Sequence, residues 1–364
     1  MQGKTFTMEL AGKTLTIETG KYCEQAGGSA FVRMGDAVVM VNATVAKQPR
    51  DGVDFLPLSI EFEEKMYSVG KIPGGYIKRE GRPSEKAILC SRLIDRPLRP
   101  LFPKGFYNDI QVIATVLSMD PDVQPEILGM IGSSAALAMS EAPFAGPTGA
   151  VAVGMVDGRY IINPTLEERH KSKLNLTVAG TKDAVMMVEA GANELSEKEM
   201  LDAILTAHEE VKKIVAFIEG IAAECGKPKM EVNIYHPDEA FTELVREYAR
   251  DKVEWQLDTF ERKVREERSE QVKQEVIEHF AEEYPDSASD IDMILYNLTK
   301  EIVRDKIINR KIRPDGRAQD EIRPIWSEVG ILPRVHGSGV FTRGQTHDHS
   351  HPCAPFRGTG AGRH

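Results

Sequence analysis

One short stretch of the sequence concentrates positively charged side chains. Residues 71–99 contain eight lysines and arginines but three acidic residues, so this segment carries a local excess of five positive charges. The whole chain has a formal net charge of −10. Lysines and arginines set among glycines and a proline, as in "GGYIKREGRPSE", are typical of a loop that contacts phosphate groups. This basic segment (residues 71–99) is therefore the candidate site for binding a polyanion.

Other residue types capable of chemistry are scattered along the chain. The four cysteines (Cys23, Cys90, Cys225 and Cys353) lie far apart without C-x-x-C spacing, which argues against a disulfide framework or a cysteine zinc site. We therefore expect a reducing, cytoplasmic setting. The sequence shows neither a signal-peptide pattern nor an apolar run of roughly 18 residues, so it predicts neither export nor a membrane partner.

Three histidines alternate near the end of the sequence, at His347, His349 and His351. Alternate histidines on a strand edge can bind a metal ion. The competing interpretation is an aberrant tail over residues 347–364, because Pro352 and Pro355 break any strand and no apolar pattern remains. Such a change of composition is typical of a reading-frame shift or an artefact. We favour this second interpretation and predict no metal site.

The elements around the basic segment can be predicted from hydrophobic periodicity. Alternation over residues 6–17 predicts a hairpin, and two further strands meet at a turn containing Gly35. Residues 83–101 have helical spacing, with Ser84 as the expected N-cap and Pro97 as the expected end of the helix. The basic segment is thus predicted to be a loop that leads into a helix.

A second part has strands followed by a long helix. Asp157 and Gly158 predict a hairpin turn, and Ser196 with Glu199 predicts a capping box. The expected apolar stripe of that helix is Leu201, Ile204, Leu205, Val211, Ile214 and Ile218. These patterns predict an α+β fold, mixed sheets with covering helices, in two parts over residues 1–145 and 146–228.

The rest of the chain has a different composition. Residues 229–237 are predicted to be a linker, and residues 238–310 an all-helical domain rich in acidic residues. Its charged faces indicate either a partner-binding helix or, as we prefer, an ordinary solvated surface. The ten residues "GSAFVRMGDA" (28–37) align with "GSGVFTRGQT" (337–346) at a constant offset. This internal repeat predicts that residues 311–346 are the truncated start of a second copy of the first domain.

Four stretches carry a resemblance to a known family: "GKIPGGYIKREGRPSEKAILCSRLIDRPLRPLF", "GPTGAVAVGM", "VAGTKDAVMMVEAGANELSE" and "RPDGRAQDEIRPIWSEVGILPRVHGSGVFTRGQT". Over residues 1–346 the sequence resembles bacterial polynucleotide phosphorylase. The resemblance implies two ribonuclease PH-like cores joined by a helical domain, then KH and OB-fold domains, in a ring-shaped homotrimer. This chain would supply the first core, the helical domain and the opening of the second core.

The resemblance also implies a reaction, 3′-to-5′ phosphorolysis of RNA to nucleoside diphosphates in mRNA degradation. Inorganic phosphate is the co-substrate, Mg²⁺ assists, and an endoribonuclease or a helicase is a possible partner. The family's phosphate and metal site lies in the second core, so we expect no catalytic residue in this chain and no activity from it alone. The alternative is a non-catalytic fragment that binds RNA or takes part in assembly.

In the family the basic loop lines the entrance through which single-stranded RNA threads. The residues that this implies for RNA binding are Tyr76, Lys78, Arg79, Arg82, Arg96 and Arg99. The family often has two aromatic residues here, whereas this sequence has Tyr76 followed by Ile77, so base stacking would depend on Tyr76 alone. A solvated basic turn is the alternative for the loop. Arg92, Arg96 and Arg99 have the alternative of fixing the helix, with Arg92 spaced to meet Asp95.

Overall fold

The computed structural model describes residues 3–50, 53, 55–74, 76, 80–232, 234 and 236–350, with the backbone alone for residues 347–350. The chain divides into two compact units, Met1–Tyr235 and His236–His364. Each unit combines helices and sheets, as the predicted α+β class requires. The finer division into six segments stays a prediction.

The first unit contains a six-stranded sheet in the order β1-β2-β3-β4-β6-β5. Its strands are β1 (Lys4–Leu10), β2 (Lys13–Thr19), β3 (Gly28–Met34), β4 (Ala37–Val45), β5 (Leu58–Glu64) and β6 (Ile110–Ser118). All neighbours are antiparallel except β5 and β6, which run parallel. Parallel neighbours need a crossover connection. That crossover contains the basic segment and helix α1 (Glu85–Leu98).

The second sheet of this unit has the order β10-β9-β7-β8 and is antiparallel throughout. Its strands are β7 (Gly149–Val156), β8 (Arg159–Ile162), β9 (Leu174–Gly180) and β10 (Val185–Ala192). Three helices accompany the sheets: α2 (Pro125–Met139), α3 (Leu166–Lys171) and α4 (Glu197–Cys225). Helix α2 packs against β3 and β4 and also against β7 and α4, and all of its residues except Glu126 are buried. It is the centre of the core.

Most local signals in the sequence are confirmed. The turns at Gly35 and at Asp157–Gly158 join paired strands, and Ser196 with Glu199 forms a capping box at the start of α4. Ser84 caps α1 as predicted, but Pro97 lies inside that helix, which continues to Leu98. The expectation that Pro97 ends α1 therefore placed the C-terminal end of the helix too early.

The predicted stripe of α4 is only partly right. Leu201 and Leu205 are about half exposed, whereas Ala203 and Ala207 are fully buried. Helix α4 packs on the sheet strands β7 and β9. Small alanine side chains allow the helix to approach the sheet closely, so alanine rather than leucine occupies the contact face. The larger side chains at Leu201 and Leu205 face outward.

The second unit contains three helices followed by a small sheet. The helices are α5 (Glu239–Gln256), α6 (Arg262–Phe280) and α7 (Ala288–Asn309), and the strands are β11 (Ile325–Val329), β12 (Gly339–Arg343) and β13 (Thr346–Ser350). The helices enclose a core of their own that includes Phe241, Val245, Val276 and Leu298. Strand β13 extends into the segment where we expected the chain to form no strand, so that expectation was wrong for residues 347–350.

The internal repeat appears in the backbone as a three-stranded meander. Met34 pairs with Ala37 across β3 and β4, and Arg343 pairs with Thr346 across β12 and β13, at positions related by the sequence offset. Both turns contain a glycine with a positive φ, 57° at Gly35 and 62° at Gly344. The predicted repeat is thus present as the same register and the same turn in both copies.

The two meanders differ in burial. Leu15 pairs with Met34 and is fully buried, whereas Ile325, which pairs with Arg343, is 57% exposed. Val32 is fully buried, and the residue at its position in the second meander, Phe341, is 46% exposed. Helix α2 covers β3 and β4 in the first copy. The apolar face of the second copy is open to solvent.

Candidate nucleic-acid interface

The loop of the basic segment is tied together at its base. It starts after a 3₁₀ turn, Met66–Val69, which Gly70 closes with a left-handed φ of 69°. At its far end, Glu80 accepts a hydrogen bond from the Met66 N–H at 2.5 Å. Lys65 pairs with Glu63 at 2.7 Å and with Glu80 at 3.5 Å, and the hydrogen bond to Glu63 raises the pKa of Lys65. These contacts fix the two ends of the loop relative to each other.

The side chains described on this loop are open to solvent. Tyr76 is fully exposed and Ile72 is 87% exposed. The side chains of Lys71 and Arg82 are exposed, and among the described residues neither has a hydrogen-bond or ion-pair partner. Lys78 and Arg79 lie outside the described residues. As far as the described residues show, the loop thus presents an aromatic ring and cations without a protein partner, the combination that stacks bases and neutralises phosphates.

Helix α1 carries the second half of the segment and packs on β5. The Ser84 hydroxyl accepts a hydrogen bond from the Ala87 N–H at 3.1 Å, which fixes where the helix starts. Its inner face is buried at Ala87, Cys90, Ile94, Pro97 and Leu98. Burial raises the pKa of the Cys90 thiol to about 12, so this cysteine stays protonated and is no nucleophile.

Two of the α1 arginines are held by protein groups. The Arg99 guanidinium donates to both carboxylate oxygens of Asp95, at 2.9 and 2.7 Å, and to the carbonyls of Leu56 and Leu58 at 3.0 and 2.9 Å. Arg96 pairs with Glu189 of β10. These contacts favour the helix-fixing alternative for Arg99 and reduce the charge that Arg96 can offer to RNA.

For Arg92 the sequence left two roles open, fixing the helix or contacting RNA. Asp95, the helix-fixing partner that its spacing allowed, is occupied by Arg99. Arg92 is exposed, and within the described part of the chain its guanidinium has no partner. It lies on the same outer face as Ile88 and Leu89, which are 51% and 64% exposed. Arg92 therefore joins the candidate site, together with Lys71.

Lys86 contributes little free charge. Its ammonium lies 2.8 Å from a carboxylate oxygen of Glu64. Burial opposes the charged form, but the hydrogen bond to Glu64 and the nearby Glu126 carboxylate raise the pKa of Lys86 overall. The cations left without partners in the described part of the segment are Lys71, Arg82 and Arg92.

The described residues contain no cluster of ligands for a metal ion, because no three His, Cys, Asp or Glu side chains among them lie close enough together to hold one. The described residues thus offer no such cluster for the Mg²⁺ that the resemblance implies. None of the described helices is both long and apolar enough to span a bilayer.

Three family descriptions match consecutive parts of the chain. The 3′ exoribonuclease family, domain 1, matches residues 11–143, and domain 2 of that family matches residues 146–210. The polyribonucleotide nucleotidyltransferase RNA binding domain matches residues 240–318. The first match includes the whole basic segment.

Curated relatives match across both units. The chain is 58% identical to a polyribonucleotide nucleotidyltransferase of Clostridioides difficile over 346 residues, 94% of this chain and 49% of the relative. It is 56% identical over 343 residues to the enzyme of that name from Heliobacterium modesticaldum, covering 94% of this chain and 48% of the relative. The chain thus spans about half the length of the curated relatives it matches. A crystal structure of rice (Oryza sativa) Rrp46 aligns with a TM-score of 0.46 at 15% identity, covering 61% of this chain and 94% of that one.

Proposed function

Because the chain belongs to the polyribonucleotide nucleotidyltransferase family, we propose that its basic segment guides single-stranded RNA into an enzyme that degrades RNA from the 3′ end. The observation that carries this proposal is a set of cations without a partner among the described residues, Lys71, Arg82 and Arg92, on the segment that also exposes Tyr76. An acidic chain repels RNA on average, so a local patch of this kind is what RNA binding requires.

Binding at this surface has two parts. The cations, with Lys78 and Arg79 of the same loop, neutralise phosphates and release counterions, which makes the affinity depend on salt. Tyr76 stacks on a base, which contributes about 1–3 kcal/mol. Neither part reads sequence, so the surface accepts RNA of any sequence.

The proposed reaction is phosphorolysis. An oxygen of inorganic phosphate attacks the phosphorus of the last phosphodiester, and the bond to the 3′ oxygen of the preceding nucleotide breaks. A nucleoside diphosphate leaves, and the shortened RNA keeps its 3′ hydroxyl. Such a transfer depends on groups that position the phosphate and neutralise its charge, a role in which Mg²⁺ assists. Because the described residues form no metal cluster, we propose that this chain is inactive alone.

The proposed assembly is a cytoplasmic homotrimer in which the basic segments surround a common entrance. An endoribonuclease or a helicase is the class of partner that would supply RNA ends to such an enzyme. A ring would place several copies of the outer face of α1 around one strand of RNA. Ile88 and Leu89, exposed on that face, would then have apolar neighbours.

A second function is a non-catalytic RNA-binding or assembly role. The observation in its favour is the lack of a carboxylate or histidine cluster among the described residues. Both functions predict RNA binding at the basic segment, and they differ in whether the chain takes part in an active enzyme.

One experiment tests the two statements that both functions share, that the chain binds RNA and that it is inactive alone. The purified chain, shown by intact mass to be free of longer homologues, is incubated with poly(A), Mg²⁺ and phosphate, and nucleoside diphosphates are measured. We expect RNA binding without release of nucleoside diphosphate. Steady release that requires both Mg²⁺ and phosphate would show that the chain has a working site of its own. Failure to bind RNA would overturn the proposed role of the basic segment.

A further inference from the structure

A pocket in His236–His364 is left without a role by the proposed function. It has a volume of about 250 Å³ and lies where the end of α5 meets the last turns of α7 and the residues that follow them. Its lining comes from three places: Leu257, Asp258, Thr259 and Phe260 after α5, Val303 and Lys306 on α7, and Arg310, Ile312, Arg313 and Pro314 beyond it.

One wall of the pocket is aromatic. Phe260 lies in the connection between α5 and α6 and is 63% exposed. One part of its ring rests on Gly316, where an added Cβ would lie 3.0 Å from the Phe260 Cγ. Gly316 has a φ of +80°, so both its conformation and this contact require glycine. Ile312, 44% exposed, adds a second apolar surface.

The rim of the pocket is positively charged. It contains Lys306, Arg310 and Arg313 against one carboxylate, Asp258, an excess of two positive charges. Lys306 donates to the Leu257 carbonyl at 3.1 Å and Arg313 to the Glu321 carbonyl at 3.2 Å, and neither acceptor carries a charge. The Arg310 guanidinium is exposed and has no partner among the described residues. The charge on this rim is therefore uncompensated.

The pocket is held open by hydrogen bonds between its walls. Arg265 of α6 donates to the Pro314 carbonyl at 2.9 Å and to the Thr259 carbonyl at 3.4 Å, so it joins two walls. The bond from Lys306 to Leu257 joins α7 to the loop after α5. A preformed pocket loses less conformational entropy when a ligand binds.

We propose that this pocket binds one nucleotide of an RNA strand, with the base against Phe260 and Ile312 and the phosphate facing Arg310 and Lys306. The inference rests on the proposed function, because it adds a second RNA contact to that of the basic segment. An exposed aromatic ring beside arginines matches the surfaces that hold single-stranded nucleic acid. The volume lies below the roughly 300–1,000 Å³ of pockets that enclose a drug-sized ligand, so one base enters rather than several.

The test is photocrosslinking of the full chain to a 4-thiouridine oligonucleotide, with the crosslinked peptides identified by mass spectrometry. We expect one set of crosslinks at the basic segment and a separate set at residues 257–260 and 310–314. Phe260→Leu keeps an apolar contact with Gly316 but removes the ring, and Arg310→Gln removes the positive charge at that position. Each should reduce the pocket crosslinks about fivefold or more and leave those at the basic segment unchanged.

Two matched variants control for general loss of aromatic surface or charge. Tyr296 is 69% exposed on α7 and Arg304 is exposed on the same helix, and neither lines the pocket. Tyr296→Leu and Arg304→Gln should leave the pocket crosslinks intact, and equal losses in them would overturn the assignment.

The remaining outcomes separate this inference from the proposed function. Crosslinks at the basic segment without any at the pocket would overturn the pocket and leave the proposed function standing. An absence of all crosslinks would overturn both. Free uridine monophosphate shares the chemistry of an RNA residue, so it is added as a competitor at a concentration equal to that of the oligonucleotide. Loss of the pocket crosslinks under that condition would overturn RNA as the ligand in favour of a free nucleotide.

Discussion

Arg99 donates two hydrogen bonds to Asp95, one helical turn earlier in α1, and the same guanidinium donates to the carbonyls of Leu56, just before β5, and Leu58, the first residue of β5. A single side chain thus connects the end of the helix to the start of the strand. Arg92, on the same helix, has no such partner in the described chain. The two arginines should respond differently to the same substitution.

We expect Arg99→Gln to lower the free energy of unfolding by about 1–2 kcal/mol, because it removes charge-assisted hydrogen bonds and leaves carbonyls unpaired. Its affinity for RNA should stay close to that of the parent chain. Arg92→Gln should weaken RNA binding without changing stability. Urea denaturation and RNA titration measure the two effects. If Arg99→Gln lost RNA affinity at unchanged stability, its role would be RNA contact.

The loop of the basic segment should control how RNA binding depends on salt. Replacing Lys78, Arg79 and Arg82 together by alanine should lower the affinity for single-stranded RNA and flatten its salt dependence, by about 0.7 in logarithmic slope for each lost phosphate contact. On α4, Lys212 is half-buried and Lys213 is exposed, and each pairs with a glutamate. Their double alanine variant is therefore the control. An unchanged slope in the triple variant would count against RNA at the loop.

The capping box of α4 should make stability depend on pH. Hydrogen bonds from the Ser196 hydroxyl and N–H to the Glu199 carboxylate lower the pKa of Glu199 from its usual 4.5. A lowered folded-state pKa means that the charged carboxylate stabilises the protein above about pH 4.5, and that this contribution is lost as the pH falls through the folded-state value.

Glu199→Gln measures that contribution, because the amide keeps the shape of the side chain without its charge. We expect the parent chain to be more stable than the variant at pH 7, and the difference to shrink once the pH drops below about 4.5. Urea midpoints from pH 7 to pH 3.5 provide the comparison. A difference that stayed constant over this range would remove the charge of Glu199 as the cause.

The two meanders should differ in how well they protect their backbone amides. Amides of β3 and β4 lie under α2 and should exchange slowly, whereas those of β12 should exchange at least a hundredfold faster, since its apolar face is exposed. Hydrogen exchange followed by mass spectrometry measures both in one sample. Equal protection of the two meanders would show that the second copy folds as firmly as the first.

Local signals in the sequence predicted local structure well. The turns at Gly35 and Asp157, and the caps at Ser84 and Ser196, each depend on residues within a few positions of one another. The short repeat also predicted the shared meander, because a glycine with positive φ fixes the turn and the turn fixes the register.

The partners of charged side chains were harder to predict. Arg92 and Arg99 are both spaced to reach Asp95 on a helix, and the sequence does not say which one does. The carbonyls of Leu56 and Leu58 decide the matter, and they lie just before and at the start of β5, about forty residues earlier in the chain. The buried alanines of α4 were missed for a similar reason, since the sheet beneath the helix selects small side chains.

Helix α2 has a consequence for how the chain is synthesised. Because it is buried on every side except at Glu126, it needs the strands that precede it and also β7 and α4, which are made later. When the nascent chain has emerged from the ribosome only as far as the end of α2, the apolar side of α2 that later packs against β7 and α4 is exposed to solvent. The core of the first unit can be completed only after α4 has emerged from the ribosome. A chaperone that binds exposed apolar helices should therefore be found on nascent chains in that interval and should dissociate once Cys225, the last residue of α4, has emerged.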